Sequence, residues 1–286
     1  MTLILPRAFR EDPALYDGTS LQRRDASYIQ EVMPLLEVLF RYYFRVEARG
    51  FDRAPWGEPF LIVGNHSGGI NTPDTGMTMH AWYMQRGVEA PVFALVQREV
   101  FKVPYLNVHV MKLGGIAATA RMAVRALESG APLALYPGAG DDVYRPFEER
   151  HKISFFGQDA LIRLALRFGL AIVPVVAIGS HETLIVFDDG RERAQRWGLD
   201  ALGIERVPLT LSFPQGVSFG IPLNIPLPIK LGLEMGYPIR FSEAGAKSAS
   251  DAGLVKYCYD RVINEMQGMM DRLVHERESH ERQAGV

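Results

Sequence analysis

A histidine on a glycine-rich loop, with a carboxylate within reach on the same loop, has the parts of a general base and the group that orients it. Such a set occurs in "LIVGNHSGGINTPDTG", where an apolar run empties into a loop carrying Asn65, His66, Asn71 and Asp74. Imidazole accepts a proton near neutrality without a large pKa shift. The same residues also read as a histidine capping a turn, with Asp74 an ordinary acid in the first turn of a helix. A second set follows another apolar run, in "LALYPGAGDDVYRPFEERHK". Gly138, Ala139 and Gly140 make a small-residue turn whose backbone N–H groups can point at a phosphate or a developing oxyanion. Asp142, Arg145 and Lys152 then supply local charge for a phosphate-bearing ligand. Taken alone, this segment reads equally as a surface loop with solvated charges.

Both sets need strands to present them. Apolar runs at 59–64, 91–96, 132–137 and 170–179 have the length and composition of buried strands. Between them lie helical stretches. "TARMAVRALESG" has Thr119 as cap and Gly130 as stop, and "QDALIRLALRFG" ends at Gly169. A helix is expected from Thr72 or Pro73. This alternation predicts an α/β fold with a mixed, mostly parallel central sheet flanked by helices. The carboxyl ends of the strands in such a sheet are where function gathers.

Residues 1–50 read as an N-terminal arm and an amphipathic helix. Its stripe is Val32, Leu35, Leu36, Leu39, Phe40 and Tyr43, with Ser27 as cap and Arg41, Arg45 and Arg49 on another face. Residues 51–286 read as the main domain. In it "LGLEMGYPIRF" forms a late strand, and a helix from Asp251 to about Val274 carries the stripe Leu254, Cys258, Val262, Met266, Met269 and Leu273. The tail "HERESHERQAGV" is expected to fray.

Bulk composition removes several classes. The chain has 286 residues, 48% of them hydrophobic and 22% charged, with a net charge of −2. That balance gives no basic field for nucleic acid. One cysteine excludes a disulfide framework and a multi-thiolate metal site. The longest charge-free stretch, Val207 to Ile229, contains Pro208, Pro214, Pro222, Pro226 and Pro228 and cannot be a continuous spanning helix. The apolar run near the N-terminus is too short for a signal peptide and is followed at once by Arg7, Arg10, Glu11 and Asp12. The expectation is a cytoplasmic protein associated peripherally with membrane, through the helix around Arg41, Tyr42, Tyr43 and Arg45 and the loop bearing Phe213, Phe219 and Ile221.

From about Leu35 to Phe241 the chain resembles the glycerophospholipid acyltransferase superfamily, in its branch near monoacylglycerol and diacylglycerol acyltransferases. The superfamily's N-H-x-x-x-x-D block is similar to "NHSGGINTPD", with Asn71 at the usual acid place and Asp74 the first acid after it. Its later block looks in this branch like P-G-G followed by an acid, and "YPGAGDD" matches with Pro137, Gly138 and Asp142, Ala139 standing in the second glycine place. Lys152 and Glu182 fall at further matching places.

The resemblance implies an O-acyltransferase that moves a fatty acyl chain from acyl-CoA or acyl carrier protein to a hydroxyl of a glycerolipid or lysophospholipid. His66 and Asp74 would be catalytic, and Asn65, Gly138, Ala139, Asp142, Arg145 and Lys152 would bind substrate. It implies no cofactor, no metal and no covalent intermediate; the partners would be the donor, a lipid acceptor and a membrane surface. The rival readings are less well furnished. A metallophosphoesterase needs metal ligands on earlier strand ends, and no histidine precedes Gly64. A serine hydrolase needs a G-x-S-x-G turn, which is missing. A lipid-binding protein that keeps the acyltransferase fold without catalysis is the remaining alternative.

Overall fold

The computed structural model describes residues 5–284. Among the described residues ten strands occur in chain order: β1 (Glu47–Arg49), β2 (Phe60–Gly64), β3 (Phe93–Val96), β4 (Gly115–Ala117), β5 (Leu133–Leu135), β6 (Ala171–Ile178), β7 (Ile185–Asp188), β8 (Leu209–Ser212), β9 (Gly216–Phe219) and β10 (Gly232–Met235). Seven form the main sheet in the order β1-β10-β6-β2-β5-β3-β4. β2 pairs in parallel with both β5 and β6, and β10 runs antiparallel to β6. The fold is thus α/β with a mixed, mostly parallel sheet, as the run of buried strands predicts. A separate three-stranded antiparallel sheet, β7-β8-β9, stands beside it.

Period-two alternation sends each strand's side chains into two cores. Leu61 and Val63 of β2, with Ile172 and Val176 of β6, face one core, whereas Phe60 and Ile62, with Val173 and Val175, face the other. On the second face lie α1 (Ala26–Val38), α2 (Pro73–Arg86) and α3 (Leu106–Lys112). On the first lie α4 (Ala120–Glu128), α5 (Ala160–Phe168) and α6 (Ala252–Ala284). Burial on both faces explains why the central strands are uniformly apolar. The local signals act as expected in two helices: Thr119 Oγ1 accepts from the Met122 N–H at 3.2 Å, and Gly169 ends α5 with φ +64°.

Several expectations differ from the structure. The N-terminal segment wraps the body instead of extending from it. Tyr16 is buried, and Asn107 Nδ2 donates to the carbonyls of Pro13 and Tyr16 at 2.8 and 2.9 Å. Asp25, not Ser27, caps α1, accepting from the Tyr28 N–H at 3.0 Å. The helical segment that holds Arg41 ends at Tyr43, so Arg45, at φ +44°, lies beyond it, and so does Arg49. Arg49 lies in β1 and binds Glu234 and Glu276 at 2.7 and 2.8 Å. The C-terminal tail does not fray at Val274. α6 continues to Ala284, and Arg277 reaches Glu182 at 3.0 Å and pairs with Glu281 four residues on, at 3.2 Å. Among the described residues no helix is long and apolar enough to cross a membrane.

Candidate active site

β2 ends where its sequence needs a glycine. A Cβ on Gly64 would lie 2.5 Å from the Tyr136 ring, so the glycine lets that ring close over the strand end. Asn65 then continues the pairing with its side chain. Its Nδ2 donates to the Ala177 carbonyl at 2.9 Å, and its Oδ1 accepts from the Ala177 N–H at 2.8 Å. His66 is thereby held two residues beyond β2, and its ring stacks on Tyr136 with centroids 4.5 Å apart.

The chain turns through Thr72, at φ +34°, into α2, which carries Asp74 in its first turn. Asp74, only 1% exposed, places Oδ2 3.0 Å from His66 Nδ1, and Thr75 Oγ1 stands 3.4 Å from the same nitrogen. Imidazole geometry then leaves Nε2 on the opposite side of a ring that is 18% exposed. Asn71 is turned elsewhere, its Nδ2 donating to the Asn224 carbonyl. The geometry therefore separates the two residues that sequence placed near His66.

The second loop packs under the first. A Cβ on Gly138 would sit 2.6 Å from the Asp142 Cβ, so glycine permits the Asp142 carboxyl to pass. Asp142 Oδ2 accepts from the His66 backbone N–H at 2.7 Å, and Oδ1 accepts from Arg145 Nε and Nη2 at 3.1 and 2.7 Å. Burial lifts the Asp142 carboxyl above the ordinary carboxylate range, while the guanidinium and the N–H oppose that rise. His181 Nε2 lies 4.0 Å from the same carboxyl, and burial pushes its pKa down to about 3. A neutral histidine thus backs the pair.

The site residues expected for substrate divide in consequence. Asn65 is engaged by Ala177, and the Ala139 N–H is spent on the Tyr136 carbonyl at 3.1 Å. Arg145 is 2% exposed and committed to Asp142, so it does not face solvent as a phosphate ligand. Lys152 is exposed, 3.4 Å from Glu149. Glu182 pairs with Arg277 on α6. Sequence reasoning passed over Tyr136, which lies in the run leading to the second loop, and His181, which follows β6; Asn224 carries no sequence signal. Behind Tyr136 and Thr75, which both touch the His66 ring, an apolar crevice of about 70 Å³ lies between α2 and the sheet, lined also by Ile62, Thr78, Trp82 and Phe93 among others.

The α/β sheet thus presents a histidine–carboxylate pair at its strand ends, the arrangement of a general base and its orienting group. The family model described as Acyltransferase matches residues 45–178, which carry β1 to β6 and both loops. The uncharacterized protein Rv0502 of Mycobacterium tuberculosis is 29% identical over 245 residues, covering 85% of this chain and 65% of that protein. The uncharacterized protein ML2427 of Mycobacterium leprae is 27% identical over 245 residues, with 85% and 64% covered. The chain thus spans less than two thirds of the length of these curated relatives. The crystal structure of the 1-acyl-sn-glycerophosphate (LPA) acyltransferase PlsC from Thermotoga maritima has a similar fold, with a TM-score of 0.51 and 19% identity, covering 93% of this chain and 86% of that one. Residues 45–178 are thus similar to the Acyltransferase family, and the likeness to PlsC shows the fold.

Proposed function

We propose that this protein transfers a fatty acyl group from a thioester donor, acyl-CoA or acyl carrier protein, to a hydroxyl of a glycerolipid or lysophospholipid. The observation that carries the proposal is the contact between His66 Nδ1 and Asp74 Oδ2 at 3.0 Å, with an apolar crevice behind Tyr136 and Thr75. Asp74 holds the ring so that Nε2 faces the reactants. The acceptor hydroxyl gives its proton to Nε2 as its oxygen attacks the thioester carbon. The tetrahedral intermediate then expels the thiolate, which takes the proton back from His66, leaving an ester and a free thiol. Nucleophile and leaving group are both substrates, so no acyl-enzyme is required.

The remaining residues support this chemistry by placing it. Asp142 ties the His66 backbone to the Gly138 turn, and Arg145 keeps that buried carboxyl paired. Lys152, exposed near the second loop, is the residue proposed for donor phosphate. The crevice at Thr78, Trp82 and Phe93 suits the carbonyl-proximal part of the acyl chain. An acceptor of this class resides in lipid, so the protein is proposed to work at a membrane surface, from the cytoplasmic side.

The test is acyl transfer by the purified chain with labelled acyl-CoA and a panel of monoacylglycerol, diacylglycerol and lysophospholipid acceptors. His66→Ala should lower kcat by about 10²–10⁴ with an unchanged melting curve. Full turnover in a folded His66→Ala protein removes His66 as the base. Acceptor binding without any turnover by the unsubstituted chain would return it to the non-catalytic lipid-binding class.

A further inference from the structure

Strands β8 and β9 of the three-stranded sheet β7-β8-β9 have their polarity inverted. Across β8 and β9, Thr210 pairs with Ser218 and Leu211 with Val217. Thr210 and Ser212 are buried at 0% and 6% exposure, yet Val217 and Phe219 are exposed at 66% and 61%, with Leu211 at 37% and Phe187 of β7 at 52%. A sheet covered on one face by protein and on the other by water normally does the opposite. The inward face rests on Val143 and Tyr144 of the second loop, through Val186.

The inversion continues in the following strap. Asn224 is buried at 5%, whereas its neighbours Leu223 and Ile225 stand 80% and 52% exposed. The strap is tied to the His66 loop, where Asn71 Nδ2 donates to the Asn224 carbonyl, and to the end of the N-terminal helical segment, where Tyr43 Oη donates to the Pro226 carbonyl at 2.7 Å. Ile70, on the His66 loop itself, is 51% exposed. One apolar surface therefore runs from the small sheet to the catalytic loop. Charge marks its border. No charged side chain lies between Val207 and Ile229. At the edge, the Arg193 guanidinium sits 4.7 Å over the Phe219 ring, Trp197 meets that ring edge-on at 6.4 Å, and Arg45 Nη2 donates to the Pro228 carbonyl at 2.7 Å.

We infer that this face seats the protein on a lipid surface, with Val217, Phe219 and Leu223 in the acyl boundary and Arg45, Arg193 and Trp197 at the headgroups. An apolar centre with an amphipathic aromatic and guanidinium rim follows the polarity profile of a bilayer interface. Arg45 at the rim complements anionic headgroups, while Arg193 is paired with Asp188 at 2.8 Å. The inference rests on the acyl-transfer reading in one respect: it brings the lipid acceptor to the mouth of the His66 loop without passage through water.

Flotation of the full chain with vesicles of phosphatidylcholine, with and without phosphatidylglycerol, tests it. The protein should bind both, more strongly with phosphatidylglycerol, and salt should weaken only that added part. The double variant Val217→Ser, Phe219→Ser should bind vesicles about a hundredfold more weakly, while transfer to a detergent-dispersed acceptor stays unchanged. A Val217→Cys protein carrying an environment-sensitive fluorophore should shift to shorter wavelength on vesicles; Cys258 is buried and does not compete for label. Equal flotation of the double variant, or no fluorophore shift, overturns the inference. So does a wild-type chain that ignores vesicles and self-associates through this face. Normal flotation without transfer to the dispersed acceptor supports the surface and removes the catalytic reading instead.

Discussion

At His66 the question is which neighbour governs the imidazole. Asp74 touches Nδ1 and Asn71 does not, so Asp74→Asn should lower kcat far more than Asn71→Ala, because an amide stabilises an imidazolium poorly. Steady-state kinetics on the two variants decides between them, and the reverse ranking would move the orienting role to residue 71. Arg145 and Lys152 should also separate. Arg145→Ala leaves the buried Asp142 carboxyl without its counter-charge and should cost about 3–5 kcal/mol of stability, read as a large fall in Tm. Lys152→Ala should leave Tm nearly unchanged and raise KM for acyl-CoA. If Arg145→Ala instead keeps its Tm and only raises KM, the arginine binds donor after all.

Among the elements, the turn Gly138–Ala139 shows what the loop asks of its residues. Ala139 holds φ +42°, a left-handed conformation that disfavours a Cβ. That strain accounts for the glycine expected at this place in related sequences. Ala139→Gly should therefore be neutral or stabilising, by up to about 1 kcal/mol, as denaturant unfolding would reveal. A clear destabilisation would mean that the Ala139 methyl packs in a way that outweighs the strain. The small sheet makes the complementary point. β8 and β9 alternate cleanly, but the alternation aims polar residues inward, and only the pairing register reveals which face is which.

For the whole molecule, the buried His181 links the site to pH. Burial pushes its pKa to about 3 from an ordinary 6.5, so between those values the unfolded chain takes up a proton that the folded chain refuses. The corresponding stability is complete above about pH 6.5 and drains away as pH falls, at up to about 1.4 kcal/mol per pH unit. His80 and His109 are lowered by burial too and add in the same direction. His181→Gln should thus flatten the decline of Tm between pH 7 and pH 5. An unchanged slope would show that His181 does not govern the acid limb.

What the amino-acid sequence determined by itself was local and periodic. Uniform apolar runs marked the strands, Thr119 and Gly169 marked helix ends, and the glycine-rich loops marked the two strand ends that meet at the site. These features are legible because each depends on neighbours within a few residues. Tertiary structure decided the rest. It chose Asp74 over Asn71 for contact with His66, because the left-handed turn at Thr72 swings α2 back over the ring. It withdrew Arg145 from solvent into a pair with Asp142, three residues away, whose carboxyl Gly138 lets pass toward the His66 loop. It carried α6 to Ala284, where Arg277 and Glu182 lie side by side although 95 residues apart in sequence. Contacts at such separations depend on how the sheet brings its strand ends together, and no local pattern encodes that.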